Sequence, residues 1–96
     1  LEPIGNNIPV KFKLLQNYPN PFNPYTKIRF DIAEPDHVRL IVYDVIGVEI
    51  ATLVDQYLNP GSYGINFDAL YFSSGIYFYK LQAGIFTETR KMVLMR

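Results

Sequence analysis

The chain has 96 residues, 49% hydrophobic and 16% aromatic against 19% charged, a balance that supports one hydrophobic core and excludes both a second full domain and intrinsic disorder. Nine basic residues offset nine acidic ones, so no net field draws the chain to nucleic acid or to an anionic membrane surface. The absence of cysteine removes disulfides, thiolate chemistry and Cys-based zinc sites, and no apolar run approaches the ~20 residues that span a bilayer as a helix.

Residues 1–10 combine Pro3, Gly5, Asn6, Asn7 and Pro9 with scattered apolar positions, which is linker composition. They are expected to tether a folded domain over 11–96 to an upstream segment. The chain opens on Leu1 rather than Met, which points to a longer parent, and its start lacks the basic-then-apolar order of a signal peptide. From Lys11 the pattern has period two, with Phe12 and Leu14 on one side; after a Pro-rich break, Ile28, Phe30 and Ile32 alternate with Lys27, Arg29 and Asp31. Val38, Leu40 and Val42 repeat the alternation up to Asp44, a turn follows at Ile46-Gly47, and Val48–Val54 reads as the partner strand of a hairpin.

Asn59-Pro60-Gly61 signals a further turn, after which Tyr63, Ile65 and Phe67 alternate with small and polar residues. The segment Gly75–Leu81 carries large residues on both faces, as a central strand does, and Ala83-Gly84 turns it into a last strand over Ile85–Met95. Helical spacing is interrupted everywhere by Gly, Pro or β-branched runs, the segment 46–57 coming closest to it. The expectation is an all-β, seven-stranded immunoglobulin-like antiparallel β-sandwich, with Asp44, Gly47, Gly61, Gly75 and Gly84 as structural turn residues.

An inventory of reactive groups argues against an enzyme. The single histidine, His37, lies beside Asp36 just before a strand and has no nucleophile elbow to serve. The acidic residues are scattered over strand ends, with neither a cleft-flanking pair nor the alternating Asp/Asn loop of a calcium site. The glycines are isolated, so no phosphate-binding loop forms. No catalytic residue, metal or cofactor is expected. Tyr71, Phe72, Tyr77, Phe78 and Tyr79 form an aromatic cluster that in a sandwich either packs the sheets or stacks on sugar rings. The most unusual segment is Asn17-Tyr18-Pro19-Asn20-Pro21-Phe22-Asn23-Pro24, where three prolines fix alternate φ angles and Asn amides can fold back on the chain. It is expected to be a stiff crossover with Tyr18 or Phe22 as its apolar plug.

These residues resemble the C-terminal sorting domain of proteins exported by the type IX secretion system of Bacteroidetes and related bacteria, over about residues 14–96. The resemblance is carried by Asn17–Pro24 followed by Thr26, Ile28 and Phe30; by Val38–Asp44 with Gly47; by Gly61; by Ser74–Leu81 with Gly84; and by the ending Lys91-Met92-Val93-Leu94-Met95-Arg96. The pattern is similar to the type A variety and to the immunoglobulin-like domain of flagellar hook-capping proteins. Two departures stand out: Val48 occupies a position usually basic in the family, and Asp68–Ser74 is more aromatic than the usual polar loop.

The resemblance implies a non-catalytic export signal attached to an upstream cargo. Its partners would be the outer-membrane translocon and a sortase-like cysteine peptidase that cuts before the domain, here around Gly5-Asn6-Asn7. The route would pass through the periplasm to the cell surface or beyond. It also places translocon recognition in Lys91, Met92, Val93, Leu94, Met95 and Arg96. An edge strand with free backbone groups can be recognised by β-augmentation, and the sequence leaves open whether this last strand is paired or available. Two other readings stay open: an accessory module of a polysaccharide-degrading enzyme that binds glycan through rings such as Tyr71 and Phe72, and a purely structural stalk.

Overall fold

The computed structural model describes residues 1–96. Eight strands follow one another: β1 (Glu2–Pro3), β2 (Lys13–Leu14), β3 (Tyr25–Ile32), β4 (Asp36–Tyr43), β5 (Glu49–Leu58), β6 (Gly61–Asp68), β7 (Gly75–Ala83) and β8 (Phe86–Leu94). They form two four-stranded sheets, ordered β1-β6-β3-β2 and β5-β4-β7-β8. Every ladder is antiparallel. The alternation in the sequence sets which side chains lie between the sheets, because successive residues of a strand point to opposite faces. Ile28, Phe30 and Ile32 from β3 meet Val38, Leu40 and Val42 from β4, Tyr77, Tyr79 and Leu81 from β7, and Met92 and Leu94 from β8 in one core.

The expected seven strands are corrected to eight. The addition is β1, which pairs Glu2 with Gly64 and Pro3 with Tyr63 on the outer edge of β6, within the stretch expected to be a tether. Ile4 N continues the contact by donating to Ser62 O at 2.8 Å. Two residues are too few to show a period, and what fixes them is the unpaired N–H and C=O groups that β6 presents on that side. The lysine of Lys27 and the carboxylate of Glu2 form an ion pair there, and that hydrogen bond and charge hold the Glu2 carboxyl below the usual carboxylate range.

The segment with the weakest alternation is nevertheless β5. Its ladder with β4 slips between Leu40 and Ile41 and again between Val42 and Tyr43, so that Leu53 and Ile50 are extra residues and the period is broken twice. The β4–β5 turn is set by Asp44, whose Oδ1 accepts from Ile46 N and Val48 N, both at 3.0 Å, while Gly47 N donates to Asp44 O at 3.1 Å. Gly47 stands at φ +88°, a conformation that side chains rarely tolerate. Gly61 and Gly75 are the first residues of β6 and β7, and Gly84 occupies the β7–β8 turn.

Candidate functional site

The site is assembled where the segment Asn17–Pro24 meets the last strand. β8 lies at the edge of its sheet, with β7 on one side only. Met92 and Leu94 point into the core and are buried, whereas Lys91, Met95 and Arg96 are exposed and Val93 is half-buried. The backbone groups of Val93 face away from β7, and there Phe22 runs alongside in a parallel bridge to Leu94. Phe22 N donates to Val93 O at 2.9 Å, Met95 N donates to Phe22 O at 3.0 Å, and Val93 N donates to the Asn20 amide oxygen at 2.9 Å. Gln16 Nε2 adds a bond to Lys91 O at 2.7 Å. The edge of the last strand from Lys91 to Met95 is therefore engaged by the protein itself.

The loop that does this is held from below. Phe22 is its plug, 2% exposed and tilted against Phe67 at 6.1 Å between ring centroids, while Tyr18 is 81% exposed. Tyr18 is instead fixed through its backbone, in a two-way bridge with Lys27. Asn17 is buried, and its amide is fully used: Nδ2 donates to Pro19 O at 3.1 Å and to Thr26 Oγ1 at 3.0 Å, and Oδ1 accepts from Gln16 Nε2 at 2.7 Å. Thr26 Oγ1 donates in turn to Pro19 O at 2.8 Å. The peptide bonds before Pro19, Pro21 and Pro24 are cis, and Pro24 O accepts from Ala69 N at 2.9 Å. Asn23 is exposed.

Side chains, not a ladder, close the gap between β8 and β2. Arg90 Nε donates to Leu14 O at 2.7 Å, Leu14 N donates to Glu88 Oε1 at 3.3 Å, and Arg90 and Glu88 pair at 3.2 Å. Tyr79 spans the sheets from β7: its hydroxyl donates to Leu15 O at 2.7 Å and accepts from Asn17 N at 2.8 Å. Burial pushes this hydroxyl up to about 12, with the Asn17 hydrogen bond working in the opposite direction. Inward-facing charge on β8 also blunts pairing with a foreign strand.

At the far end, the Arg96 guanidinium donates to Phe72 O and to Ala69 O, both at 2.8 Å, and to Leu70 O, while Arg96 N donates to Ser74 Oγ at 3.0 Å. The aromatic loop 69–74 is thus capped by the last residue of the predicted recognition segment. Gln16, Glu88 and Arg90 have no signal in the sequence pattern, whereas Thr26 belongs to the blocks of the resemblance and Tyr79 to the aromatic cluster. A tyrosine at an inward position of a central strand must find a partner for its hydroxyl.

Two other predicted groups fall elsewhere. His37 contacts Asp55 across β4 and β5 on the exposed face. Of the rings proposed for sugar stacking, Tyr71 is exposed, but Phe72 is stacked on Phe67 at 5.9 Å and tilted against Tyr77 at 6.2 Å. Phe72 serves as packing, and no paired platform remains.

Residues 16–95 match the family described as secretion system C-terminal sorting domain, a span that takes in Asn17–Pro24 and β8 and stops one residue short of Arg96. The chain belongs to that family. No curated protein matches the chain. Membership in the sorting-domain family makes the chain a type IX secretion C-terminal sorting signal. Such a signal implies an upstream cargo, the type IX machinery and export to the cell surface or the extracellular space. The family is not a catalytic one. Two of the five blocks that carried the resemblance, Asn17–Pro24 and Lys91–Arg96, are brought together by the hydrogen bonds of Asn20 and Phe22 with Val93 and Met95.

Proposed function

We propose that this domain, residues 11–96, is a recognised and non-reacting label that directs its cargo through the periplasm to the outer-membrane translocon and is then cut off. Recognition is assigned to Lys91–Arg96, with Asn17–Pro24 as the frame that holds that segment in one geometry. The supporting observation is the joint between them, where loop backbone and amide groups engage Lys91, Val93 and Met95. A label read by a partner benefits from being rigid, because the ordering cost is met on folding rather than on binding.

Cleavage by the sortase-like cysteine peptidase is assigned to Gly5-Asn6-Asn7. These residues are exposed and lie between β1 and β2, outside any strand, which suits them to enter a peptidase cleft in extended form. The freed cargo is either released or joined to surface lipopolysaccharide.

The test fuses a fluorescent reporter with a periplasmic signal peptide to residues 1–96 in a host carrying the type IX system. The reporter is expected outside the cell, and mass spectrometry of the secreted form should place its new C-terminus within residues 5–7. A reporter that stays in the periplasm would refute the sorting role. One that is secreted but uncut, or cut beyond Lys11, would refute the cleavage assignment alone.

A further inference from the structure

We infer that the sorting signal is read through the outer face of the β5-β4-β7-β8 sheet, by a protein surface presenting acidic groups around an apolar centre, rather than by a strand added to the edge of β8. This rests on the sorting role proposed above and names the surface that carries it. Within Lys91–Arg96 few groups are free to meet a partner. Met92 and Leu94 are 0% and 1% exposed, so they cannot be touched while the domain is folded. The outward backbone groups of Val93 and the carbonyl of Lys91 are already bonded to Asn20, Phe22 and Gln16. Arg96 is bonded to the loop 69–74. Lys91, Val93 and Met95 retain free side chains, and of these Lys91 and Val93 stand on the outer face of the sheet within β8.

That face is not built like an ordinary solvated one. Opposite Val93 lies Ile76, opposite Lys91 lies Phe78, and opposite Phe78 on its other side lies Tyr43. None of these belongs to the core between the sheets, since their strand neighbours Val42, Tyr77, Tyr79, Met92 and Leu94 do. Ile76 is 41% exposed, and Tyr43, Phe78 and Val93 are half-buried. Four apolar side chains from three adjacent strands thus form a continuous stripe that ends on the predicted signal. Contiguous apolar surface of this kind marks an interaction site more often than a solvated face.

Charge specifies the partner. Lys80 and Lys91 border the stripe on β7 and β8, while the exposed Glu49 of β5 lies opposite Tyr43 at its other end. The cross-strand neighbours of Lys80 are Ile41 and Thr89, and that of Lys91 is Phe78. The ion pairs of the structure are Lys27–Glu2, His37–Asp55 and Arg90–Glu88, which leaves both lysines without a carboxylate. Two uncompensated ammonium groups beside an apolar stripe complement an acidic rim around an apolar centre.

The experiment uses the same secreted reporter fused to the full chain. The double reversal Lys80→Glu with Lys91→Glu is expected to lower secretion at least tenfold, and Ile76→Glu to do the same. The charge-keeping pair Lys80→Arg with Lys91→Arg should secrete as the parent does. Lys11→Glu with Arg29→Glu, which changes net charge equally on the rest of the molecule, is expected to be silent. Urea midpoints of the purified variants must match the parent for the comparison to count as recognition, and a second reversal, Lys91→Glu alone, is the fallback if the double variant is destabilised. Normal secretion of the Lys80 and Lys91 reversals would overturn the face reading while leaving the sorting role intact. A parent fusion that is not secreted would overturn both. Concentration-dependent dimerisation of the isolated chain, abolished by Ile76→Glu, would assign the stripe to a second copy of the chain and overturn the inference.

Discussion

Tyr79 shows how a single polar atom ties the start of the Asn17–Pro24 loop to the core. Its ring is fully buried, so its hydroxyl must be satisfied inside the protein, and it is, between Leu15 O and Asn17 N. Tyr79→Phe would leave a buried N–H and a buried C=O without that partner, a loss of about 1–3 kcal/mol at neutral pH. The hydroxyl also makes stability depend on alkaline pH. Its folded value, raised by burial from 10.0 to about 12, means that the native state holds this proton more tightly than the unfolded chain. The stabilisation is complete below pH 10.0 and is lost as pH rises through about 12. Urea midpoints measured across that window should fall more steeply for the parent than for Tyr79→Phe, and parallel curves would contradict the assignment. Asn17 plays the complementary part: a buried amide whose donors and acceptor are all engaged fixes the loop in a single geometry.

At the scale of elements, the two hairpins of the second sheet use glycine for different reasons. Gly47 needs its positive φ but faces open space, with nothing within 4 Å of an added Cβ. Gly84, at φ +59°, would in addition set a Cβ 2.3 Å from Asp36 Oδ2. The same carboxylate accepts from His37 N at 2.8 Å through its other oxygen, so moving Asp36 sacrifices a bond. Gly47→Ala should cost about 1–2 kcal/mol from backbone conformation alone. Gly84→Ala should cost about 1 kcal/mol more, read as a lower urea midpoint, and equal costs would show that Asp36 does not restrain the turn. The edge strands also differ. β5 is broken by two slips in its ladder with β4, whereas β8 runs regularly against β7 from Phe86 to Leu94 and has its other side engaged by side chains and the loop.

For the whole molecule, the proposed recognition segment is also part of the core. Removing Lys91–Arg96 takes Met92 and Leu94 out of the core, and each buried Leu or Met lost to truncation costs about 2–5 kcal/mol. It also removes the backbone partners of Phe22 and the cap on loop 69–74. Against a total stability of about 5–15 kcal/mol for a domain, the chain 1–90 should lose its cooperative thermal transition in circular dichroism. A truncated chain that melts like the parent would show that the last strand is dispensable for folding. If the transition is lost, failed secretion of a truncation cannot be credited to lost recognition, and surface substitutions on β7 and β8 become the informative probes. By itself, the sequence determined the all-β class, the hairpin turns, the inward residues of β3, β4 and β6, and the family blocks, because a strand's period records which face is buried; in β7, with large residues on both faces, only the structure separated Tyr77, Tyr79 and Leu81 as inward. The sequence could not disclose β1, the double slip in β5, the choice of Phe22 over Tyr18 as plug, or the pairing of Phe22 with Val93 and of Arg96 with loop 69–74. Those depend on which distant segments lie beside each other, and a one-dimensional period carries a residue's face but not its neighbour. The tertiary structure therefore decided that the last strand is an edge already engaged by its own loop, which is why the recognition proposed above is placed on its outer face.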